Sequence, residues 1–247
     1  MKIIGIIPAR YDSSRFPGKP LVDIAGQTMI QRVYNQAKHA QSLAEVIIAT
    51  DDDRIANHVR SFGGNVIMTR KDHQSGTDRC AEVLETISGF DVAINIQGDE
   101  PFIDPLQIDL LVSCFDRQET EIATLVRKVE SKEELLNPNK PKVVLNRNGQ
   151  AIYFSRQAVP YLRGVAIEEW LNYRPFYNHI GIYGYRTSVL KALTALPVSD
   201  LEAMESLEQL RWIDNGFQIQ TAISNHANDA IDTPEDLKYI MYKYFEG

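Results

Sequence analysis

Short apolar segments alternate with amphipathic ones along the first part of the chain. Residues 3–7, 46–49 and 92–96 are rich in β-branched side chains and nearly free of polar positions, as in strands that are covered on both faces. Residues 66–68 form a shorter segment of the same kind, and apolar residues recur at helical spacing over 28–40. Such strands separated by helices predict a parallel, doubly wound α/β sheet.

The pattern changes in the second half, where strands follow one another more closely. Residues 142–145 and 151–154 flank the turn Arg147-Asn-Gly149, which is a hairpin signature. The irregular stretch 157–175 indicates an antiparallel excursion. The remaining predicted elements are helices over 78–87 with Thr77 as N-cap, over 108–115, and through 201–213 to Gly216, strands over 122–129, 181–185 and 219–223, and a last helix opened by Pro234.

No internal repeat, low-complexity tract or long linker interrupts the chain. We therefore predict a single α/β domain over residues 1–247, with a parallel half over 1–101 and a mixed, mostly parallel sheet completed by 102–247. At 247 residues the chain is long enough to bury its own core.

Composition excludes several classes of function. A net charge of −7 argues against general nucleic-acid affinity, because binding to the phosphate backbone needs a broad basic surface. No apolar run is long enough to cross a membrane, and residues 1–7 lead into a strand without a signal-peptide pattern. Cys80 and Cys114 lack metal-ligand spacing, so we interpret them as reduced core thiols of a cytoplasmic protein.

A cationic loop follows the first strand. It combines Gly18 with three cations, Arg10, Arg15 and Lys19. Loops at the carboxyl edge of a parallel sheet bind anions in many α/β proteins, although a solvated basic loop is the alternative. The phosphate-binding pattern G-x-x-x-x-G-K-[ST] is absent from the sequence.

Two aspartates are candidate ligands for a hard metal ion. Asp99 follows a buried strand through Gln97-Gly98, so it should lie at the same sheet edge as the cationic loop. Asp232 precedes a helix that begins at Pro234. Mg²⁺ commonly takes one or two carboxylates together with substrate phosphates. Capping of a turn or a helix is the alternative role for each aspartate.

The run Asp51-Asp52-Asp53 has two interpretations. As D-x-D after a strand, it could be the metal motif of a nucleotide-sugar glycosyltransferase. Acidic residues are also favoured at the first turn of a helix, and we prefer this capping role. His73 and His179 alone could be ordinary polar residues, and Ser75-Gly76-Thr77 is a weak signal for a phosphate or base site.

Taken together, the motifs resemble those of the 3-deoxy-manno-octulosonate cytidylyltransferases, also called CMP-Kdo synthetases. The matching stretches run in the family's order from end to end: Ile7-Pro-Ala-Arg-Tyr11, Ser14-Arg-Phe-Pro-Gly-Lys-Pro-Leu21, Met68-Thr-Arg-Lys-Asp-His-Gln-Ser-Gly-Thr77, Asn95-Ile-Gln-Gly-Asp-Glu-Pro101, Tyr153-Phe-Ser-Arg156, His179-Ile-Gly-Ile-Tyr-Gly-Tyr185, Leu207-Glu-Gln-Leu-Arg211 and Ile231-Asp-Thr-Pro-Glu-Asp-Leu237. The stretch 157–175 matches least, and Ser13-Ser14 stands where many relatives have Ser-Thr.

The resemblance implies a nucleotidyltransferase fold of the glycosyltransferase-A type and a homodimer formed through the excursion. It also implies Mg²⁺-dependent transfer of CMP from CTP to 3-deoxy-manno-octulosonate (Kdo), for lipopolysaccharide synthesis. Residues 1–101 would then be mainly the CTP-binding half, and 102–247 the sugar-binding and dimerisation half.

Site residues follow from the same resemblance by position. The cations Arg10, Arg15 and Lys19 would hold the CTP phosphates. The other CTP contacts would be Ala9, Arg70, His73, Ser75 and Gly76. Mg²⁺ would be bound by Asp99 and Asp232, and catalysis would rest on Lys19, Arg10, Asp99 and Asp232. The sugar site would comprise Gln97, Arg156, His179, Tyr183, Glu208 and Gln209.

Three alternatives stay open from the sequence. The acceptor could be another acidic sugar, such as sialic acid or the 8-amino analogue of Kdo. The chain could be a D-x-D glycosyltransferase that uses Asp51 and Asp53, or a non-catalytic module that senses CTP. The intact set of cations and carboxylates disfavours the last of these.

Overall fold

The structure, a computed structural model, describes residues 1–12, 16–226 and 229–246. The strands are β1 (Ile3–Ala9), β2 (Asp23–Ile24), β3 (Gln27–Thr28), β4 (Glu45–Thr50), β5 (Val66–Met68), β6 (Val92–Asn95), β7 (Ile122–Lys128), β8 (Lys142–Leu145), β9 (Gln150–Ser155), β10 (Tyr177–Arg186) and β11 (Ile219–Ile223).

The helices alternate with these strands. They are α1 (Met29–Lys38), α2 (Asp53–Ser61), α3 (Gly76–Thr86), α4 (Pro105–Ser113), α5 (Lys132–Leu136), α6 (Trp170–Tyr173), α7 (Thr187–Thr194), α8 (Asp200–Glu205), α9 (Gln209–Asp214) and α10 (Pro234–Met241). Short 3-10 segments lie at Lys19–Leu21, Cys114–Asp116 and Ile167–Glu169, and a π-helical segment at Tyr242–Glu246 follows α10.

Residue contacts divide the chain into two compact units. The first comprises Met1–Asp109, Arg186–Thr194 and Asn228–Gly247, and the second comprises Leu110–Tyr185 and Ala195–Ala227. The carboxyl-terminal residues, which the sequence analysis assigned to the second half, thus belong to the first unit. A single domain over 1–247 stays a prediction.

The first unit contains the predicted parallel sheet, with strand order β5-β4-β1-β6. Six of the seven residues of β1 are buried, which agrees with its almost wholly apolar sequence. A smaller hairpin, formed by β2 and β3, precedes α1. Helix α1 turns Met29, Val33 and Ala37 inward, as their spacing predicted.

Helix α3 begins two residues earlier than predicted. The predicted N-cap Thr77 lies in the first turn, and Ser75 is the N-cap instead. The Ser75 hydroxyl accepts from the Asp78 N–H at 3.1 Å, and the Asp78 carboxylate accepts from the Ser75 N–H at 3.0 Å. This reciprocal capping box satisfies two backbone donors, which a cap at Thr77 would leave unpaired.

The second unit contains a mixed sheet with strand order β10-β7-β11-β9-β8, and β8 also pairs with β10. Strands β7 and β11 are parallel, whereas β8 and β9 form the predicted antiparallel hairpin. Strand β10 extends further in both directions than predicted. The predicted excursion 157–175 is mostly irregular and contains only α6 and the short 3-10 segment before it.

The predicted helix through 201–213 is in fact two helices. Helix α8 ends at Glu205, and Ser206 adopts the left-handed conformation with φ 52° and ψ 49°. The left-handed conformation is unfavourable for a residue other than glycine, so a serine at this position does not indicate a helix end. The hydrophobic spacing therefore predicted one continuous helix. The contacts that hold Ser206 there involve Arg156 and are described below.

Both cysteines, Cys80 and Cys114, are buried, which agrees with their prediction as core residues. Burial raises the pKa of the Cys114 thiol to about 11, so this thiol stays protonated at neutral pH. Within the part of the chain that the structure describes, no helix is long and apolar enough to cross a membrane.

The cap of α3 makes a measurable contribution to stability. We expect Ser75→Ala to lower the free energy of unfolding by about 1 kcal/mol, because the Asp78 N–H loses its acceptor. Urea denaturation measures the difference. The control is Ser61→Ala, since that exposed hydroxyl only donates back to the His58 carbonyl, and it should change stability by less than about 0.5 kcal/mol. Equal effects would remove Ser75 as the cap.

Candidate active site

The Lys19 ammonium group lies at the centre of a cluster of charged residues in the first unit. Lys19 Nζ donates to Asp99 Oδ2 at 2.8 Å and to Asp232 Oδ1 at 3.2 Å. The lysine side chain is only 13% exposed, so both ion pairs are partly shielded from water. Residues that were separately predicted as phosphate clamp and metal ligands therefore meet at one point.

The backbone explains how Lys19 arrives there. Gly18 has φ 73°, a left-handed conformation that turns the chain into the 3-10 segment beginning at Lys19. The Gly18 N–H donates to the Tyr11 carbonyl at 2.9 Å, which closes the loop on itself. A Cβ at position 18 would lie 3.2 Å from the Tyr11 ring, so a side chain would also crowd this turn.

Asp99 and Asp232 lie on adjacent backbone segments. The Ile231 N–H donates to the Asp99 carbonyl at 2.9 Å. Ile231 itself is fully buried in an apolar cluster. The N-cap of α10 is Thr233. The capping role proposed as the alternative for Asp232 is thus filled by its neighbour, and the Asp232 carboxylate instead contacts Lys19.

Gly98 is required by the close packing beside Asp99. A Cβ on Gly98 would lie 2.8 Å from the Pro8 carbonyl oxygen. Backbone atoms from the end of β1 and from the segment after β6 therefore approach each other too closely for any side chain. This approach brings Asp99 close to the loop that carries the cations.

The two carboxylates fit a magnesium ion that is shared with a ligand. Among the described residues, no group of three or more His, Cys, Asp or Glu could hold a metal ion. Asp99 and Asp232 contact the same ammonium nitrogen, so their oxygens lie close enough to share one cation. Mg²⁺ usually takes one or two carboxylates and completes its shell with phosphate oxygens and water.

Arg10 is the second cation of the loop. Its Nη2 donates to the His73 carbonyl, which ties the loop after β1 to the loop after β5. Burial, followed by the nearby positive charge of Arg79, lowers the pKa of Arg10. Arg10 stays charged at neutral pH because an arginine pKa is normally above 12. The predicted contact Arg15 lies outside the described residues.

His73 and Arg70 are both held by Glu82 of α3. The His73 Nε2 atom is hydrogen-bonded to Glu82 Oε2, which also accepts from the Arg70 N–H at 2.9 Å. Burial alone would raise the pKa of Glu82, but the hydrogen bonds from His73 and from the Arg70 backbone lower it overall. Glu82 thus stays ionised and fixes this loop. The Arg70 side chain is 67% exposed.

Ser75 and Gly76 lie at the amino terminus of α3. The Ser75 hydroxyl is engaged in the helix cap, so its side chain contributes to structure. A Cβ on Gly76 would lie 3.3 Å from Pro8 Cγ and 3.5 Å from Asn95 Nδ2. The predicted residue Ala9 is buried at the end of β1, and Gln97 is half-buried just after β6.

The acidic run after β4 has the capping role that we preferred. Asp52 is the N-cap of α2, and its carboxylate makes two hydrogen bonds to the Arg54 guanidinium, at 2.9 and 2.6 Å. Asp51 is paired with the fully buried Arg79 at 3.2 Å. These aspartates line two clefts, of about 460 and 170 Å³, which also contain Arg70 and Arg10, respectively.

Sequence reasoning missed three residues of this unit. Glu82 organises the loop of His73, and Arg79 donates to the Thr69 hydroxyl and to Asp51. Asn95 is buried at the end of β6, and its Oδ1 has no hydrogen-bond partner in the part of the chain that the structure describes. Only Asn95 had a signal in the sequence, since it precedes the Gln97-Gly98-Asp99 motif. The other two lie in a helix and act through tertiary contacts.

The second unit contains a neutral, aromatic cluster around His179 on β10. The His179 ring lies edge-on to Phe154 and tilted against Tyr183, with ring centroids 5.2 and 5.1 Å apart, respectively. Burial lowers the pKa of His179 to about 3, so the ring is neutral at physiological pH. Burial, followed by Tyr185 and Glu208, raises the pKa of Tyr183 well above its usual value.

The hydrogen bonds of Thr124 assign the tautomer of His179. Thr124 Oγ1 donates to the Ile182 carbonyl at 2.7 Å and lies 3.0 Å from His179 Nε2. Because the single hydroxyl proton is committed to Ile182, we assign the Nε2 proton to His179 as the donor to Thr124. Nδ1 is then left with the acceptor lone pair.

Two further predicted residues carry buried polar atoms. Gln209 Nε2 and the Tyr183 hydroxyl are buried and have no hydrogen-bond partner among the described residues. Buried polar atoms are normally paired, so such atoms indicate a place where a polar ligand or water binds. Glu208 directly precedes Gln209 and is the N-cap of α9. Arg156 lies just after β9, and its guanidinium donates to three backbone carbonyls.

Comparisons with known proteins assign the chain to a family. A family model described as cytidylyltransferase matches residues 4–222. The chain is 56% identical over 243 residues to a 3-deoxy-manno-octulosonate cytidylyltransferase of Parabacteroides distasonis, covering 96% of each chain. A protein of the same name from Bacteroides thetaiotaomicron is 54% identical, with 97% of this chain and 96% of the relative covered. The chain belongs to the 3-deoxy-manno-octulosonate cytidylyltransferase family.

Solved structures agree with this membership. A CMP:2-keto-3-deoxy-manno-octonic acid synthetase complexed with CTP is 43% identical, with a TM-score of 0.91 and 98% of each chain covered. A glucose-1-phosphate thymidylyltransferase from Bacillus anthracis is 18% identical, with a TM-score of 0.67, covering 99% of this chain and 96% of its own. That second likeness concerns the fold alone. The family's α/β nucleotidyltransferase-like fold is therefore confirmed for this chain.

The neutral state of His179 can be tested in this cytidylyltransferase-family protein. We expect its ring to stay neutral down to about pH 4 and to carry the proton on Nε2, as read from ¹⁵N chemical shifts. The unfolded chain binds a proton near the ordinary pKa of 6.5. The contribution of His179 to stability is therefore complete above that pH and is lost as the pH falls towards 3.

Thr124→Val is the matched variant for this measurement. It keeps the side-chain shape and removes the acceptor of the Nε2 proton, so the tautomer preference should weaken while the ring stays neutral. A His179 resonance that titrates near pH 6.5 in the wild-type protein would contradict the assignment.

Proposed function

We propose that this protein transfers CMP from CTP to the anomeric hydroxyl of Kdo, giving CMP-Kdo and pyrophosphate. The observation that carries this proposal is the meeting of Lys19, Asp99 and Asp232 at one sheet edge. The 56% identical relative is named for this cytidylyltransferase activity, and the 43% identical structure is described as complexed with CTP. The protein is thus a nucleotidyltransferase.

The cations of the first unit hold the triphosphate. Lys19 lies between two carboxylates, and Arg10 lies in the same loop, directly after β1. Positive charge is therefore concentrated where phosphates bind. Arg15 takes part by position in the motif. The loop fixed by Glu82 brings Arg70 and His73 to the cytosine and ribose, together with Ala9, Ser75 and Gly76. Phosphate oxygens accept hydrogen bonds from all three cationic side chains.

Asp99 and Asp232 would hold Mg²⁺, which commonly binds one or two carboxylates together with substrate phosphates. When bound, the ion neutralises charge on the phosphates and lowers the pKa of a coordinated hydroxyl. Lys19 Nζ then has phosphate oxygens as further acceptors beside the two carboxylates. The protein's own residues supply most of the positioning.

The acidic sugar is bound by the predicted sugar residues of the second unit. Gln97 stays a predicted sugar contact. The planar guanidinium of Arg156 suits a carboxylate, because two of its N–H groups can donate to the two oxygens. Neutral His179 offers an acceptor nitrogen to a sugar hydroxyl, and the buried polar groups of Tyr183 and Gln209 gain partners when a sugar binds. Glu208 accepts a hydrogen bond from another hydroxyl.

The reaction is an in-line substitution at phosphorus. The C2 hydroxyl oxygen of the sugar forms a bond to the α-phosphorus of CTP, and the bond from that phosphorus to the bridging oxygen breaks. The electron pair leaves with pyrophosphate, and the hydroxyl proton passes to solvent. The protein forms no covalent bond, so catalysis rests on positioning and on neutralisation of charge.

We further propose a homodimer formed through residues 157–175 and a role in lipopolysaccharide synthesis in the cytoplasm. The burial of Cys80 and Cys114, which we predict to be reduced thiols, supports that compartment. Sedimentation equilibrium measures the oligomeric state directly, and a monomer at micromolar concentration would contradict the dimer.

One assay tests the function against its rivals. The protein is incubated with CTP, Mg²⁺ and either Kdo, 8-amino-Kdo or sialic acid, and both pyrophosphate and the mass of the CMP-sugar are measured. We expect stoichiometric pyrophosphate and CMP-Kdo. Release of a nucleoside mono- or diphosphate would favour a D-x-D glycosyltransferase, and CTP binding without product would favour a sensing module. Preferred turnover of another sugar would change the assigned acceptor.

Lys19→Ala should lower kcat by about 10²–10³, as expected for the loss of one aimed electrostatic group. Steady-state kinetics measure the effect. The control is Lys38→Ala, since that lysine is exposed at the end of α1, and it should retain wild-type kinetics. Wild-type turnover in Lys19→Ala would remove this lysine from the active site.

Asp99→Asn should abolish Mg²⁺-dependent activity while the melting temperature stays within a few degrees of the wild-type value, because the amide is a poor ligand for Mg²⁺. Titration of Mg²⁺ in the activity assay measures the loss. Asp53→Asn, at the start of α2, serves as the control and should keep the wild-type Mg²⁺ dependence. The opposite pattern would assign the metal to the D-x-D run.

A further inference from the structure

The turn after α8 encloses the side chain of Arg156. The Glu205 carbonyl accepts from Arg156 Nε at 2.6 Å, and the Ser206 carbonyl accepts from Nη2 at 3.1 Å. Ser206 reaches this position through its left-handed backbone conformation, which also ends the helix. An unfavourable conformation of this kind persists only where surrounding contacts stabilise it.

The Glu205 carboxylate holds the backbone of the same arginine. Its Oε2 atom accepts from the Arg156 N–H at 2.9 Å, and its Oε1 atom accepts from the Ser155 hydroxyl at 2.7 Å. One glutamate therefore fixes the end of β9 through its side chain and the guanidinium through its carbonyl. The orientation of Arg156 depends on both contacts.

The remaining contact leaves part of the guanidinium available to a ligand. Arg156 Nη1 donates to the Pro138 carbonyl at 3.0 Å. A guanidinium has five N–H groups, and the three carbonyls take one each from Nε, Nη1 and Nη2. Within the described residues, one N–H on each terminal nitrogen thus remains without an acceptor. A carboxylate accepts two parallel hydrogen bonds from such a pair.

We propose that Glu205 and Ser206 are positioning residues that present the two remaining N–H groups of Arg156 to the carboxylate of the acidic sugar. This inference rests on the proposed function and deepens it, because it assigns a source for the selection of acidic sugars. A fixed guanidinium binds a carboxylate with less loss of side-chain entropy than a mobile one. Neither positioning residue needs to touch the substrate.

A purely structural role is the alternative. The positive charge of Arg156 near the last carbonyls of α8 would stabilise the end of that helix in any protein. The two roles differ in what a substitution at Glu205 changes. A structural role affects stability alone, whereas a positioning role affects the KM for the sugar selectively.

Glu205→Gln tests the positioning role at constant side-chain volume. The Glu205 carboxylate accepts from the Ser155 and Tyr153 hydroxyls on one oxygen and from the Arg156 N–H on the other. The amide keeps only one of these two acceptor oxygens, so Arg156 loses part of its support. We expect the KM for Kdo to rise about tenfold, with kcat and the KM for CTP within about twofold of wild type. An unchanged KM for Kdo in the folded variant would overturn the proposal.

Glu202→Gln is the matched control on the same helix. Glu202 accepts two hydrogen bonds from Arg211, at 2.5 and 2.6 Å, with 14% exposure of both side chains. This variant should lose comparable stability in a thermal melt and keep the wild-type KM for Kdo. A similar rise in KM in both variants would assign the effect to general destabilisation and overturn the proposal.

A neutral substrate gives a second readout. The C1 carboxamide of Kdo lacks the charge that Arg156 recognises, so the wild-type protein should prefer the acid by about 10² in kcat/KM. In Glu205→Gln this preference should narrow about tenfold. An unchanged preference would contradict the positioning role, since a structural defect lowers kcat/KM equally for both substrates.

Ser155→Ala keeps the test valid if Glu205→Gln does not fold. It removes only the hydroxyl that donates to Glu205, and we expect the KM for Kdo to rise about two- to threefold. No change in that variant would overturn the proposal. A wild-type protein that makes no CMP-sugar from any acidic sugar would refute the proposed function, whereas active wild type with unaltered variants refutes this inference alone.

Discussion

The ion pairs of Lys19 with Asp99 and Asp232 organise the first unit. The three residues are separated by 80 and 213 positions along the chain, so only the folded structure brings them together. Two carboxylates held this close repel each other, and a cation bonded to both offsets the repulsion. The left-handed turn at Gly18, the close approach at Gly98 and the cap at Thr233 each place one member of the set.

The candidate site residues of the second unit differ in chemistry from those of the first. Its candidate sugar residues are mostly neutral and aromatic, and burial keeps His179 uncharged. Charge enters through Arg156, whose guanidinium is supported by backbone carbonyls. In the function that we propose, the charged residues of the first unit bind phosphates and the neutral residues of the second unit bind sugar hydroxyls. One relative is named a 3-deoxy-manno-octulosonate cytidylyltransferase, and one similar solved structure is described as complexed with CTP.

Much of this arrangement could be predicted from the sequence. Buried strands and the loops after them follow from apolar runs, so the parallel strands of the first unit were predicted correctly. The roles of the cations in the loop after β1 stay predictions. The observed N-cap of α3 could also have been predicted from the sequence, since Ser75 and Asp78 have capping-box spacing. The break between α8 and α9 at Ser206 could not be predicted, because a non-glycine residue in a left-handed conformation depends on contacts with Arg156, fifty residues away. The support of His73 by Glu82 is tertiary in the same way.

The central claim is that phosphates and metal meet at Lys19, Asp99 and Asp232. A crystal structure with CTP and Mn²⁺, with the metal located by anomalous scattering, tests it most directly. The account predicts a peak bound by the carboxylates of Asp99 and Asp232 and by phosphate oxygens, with Lys19 Nζ in contact with the nucleotide. A metal bound instead at Asp51 and Asp53, with the triphosphate away from Lys19, would contradict it.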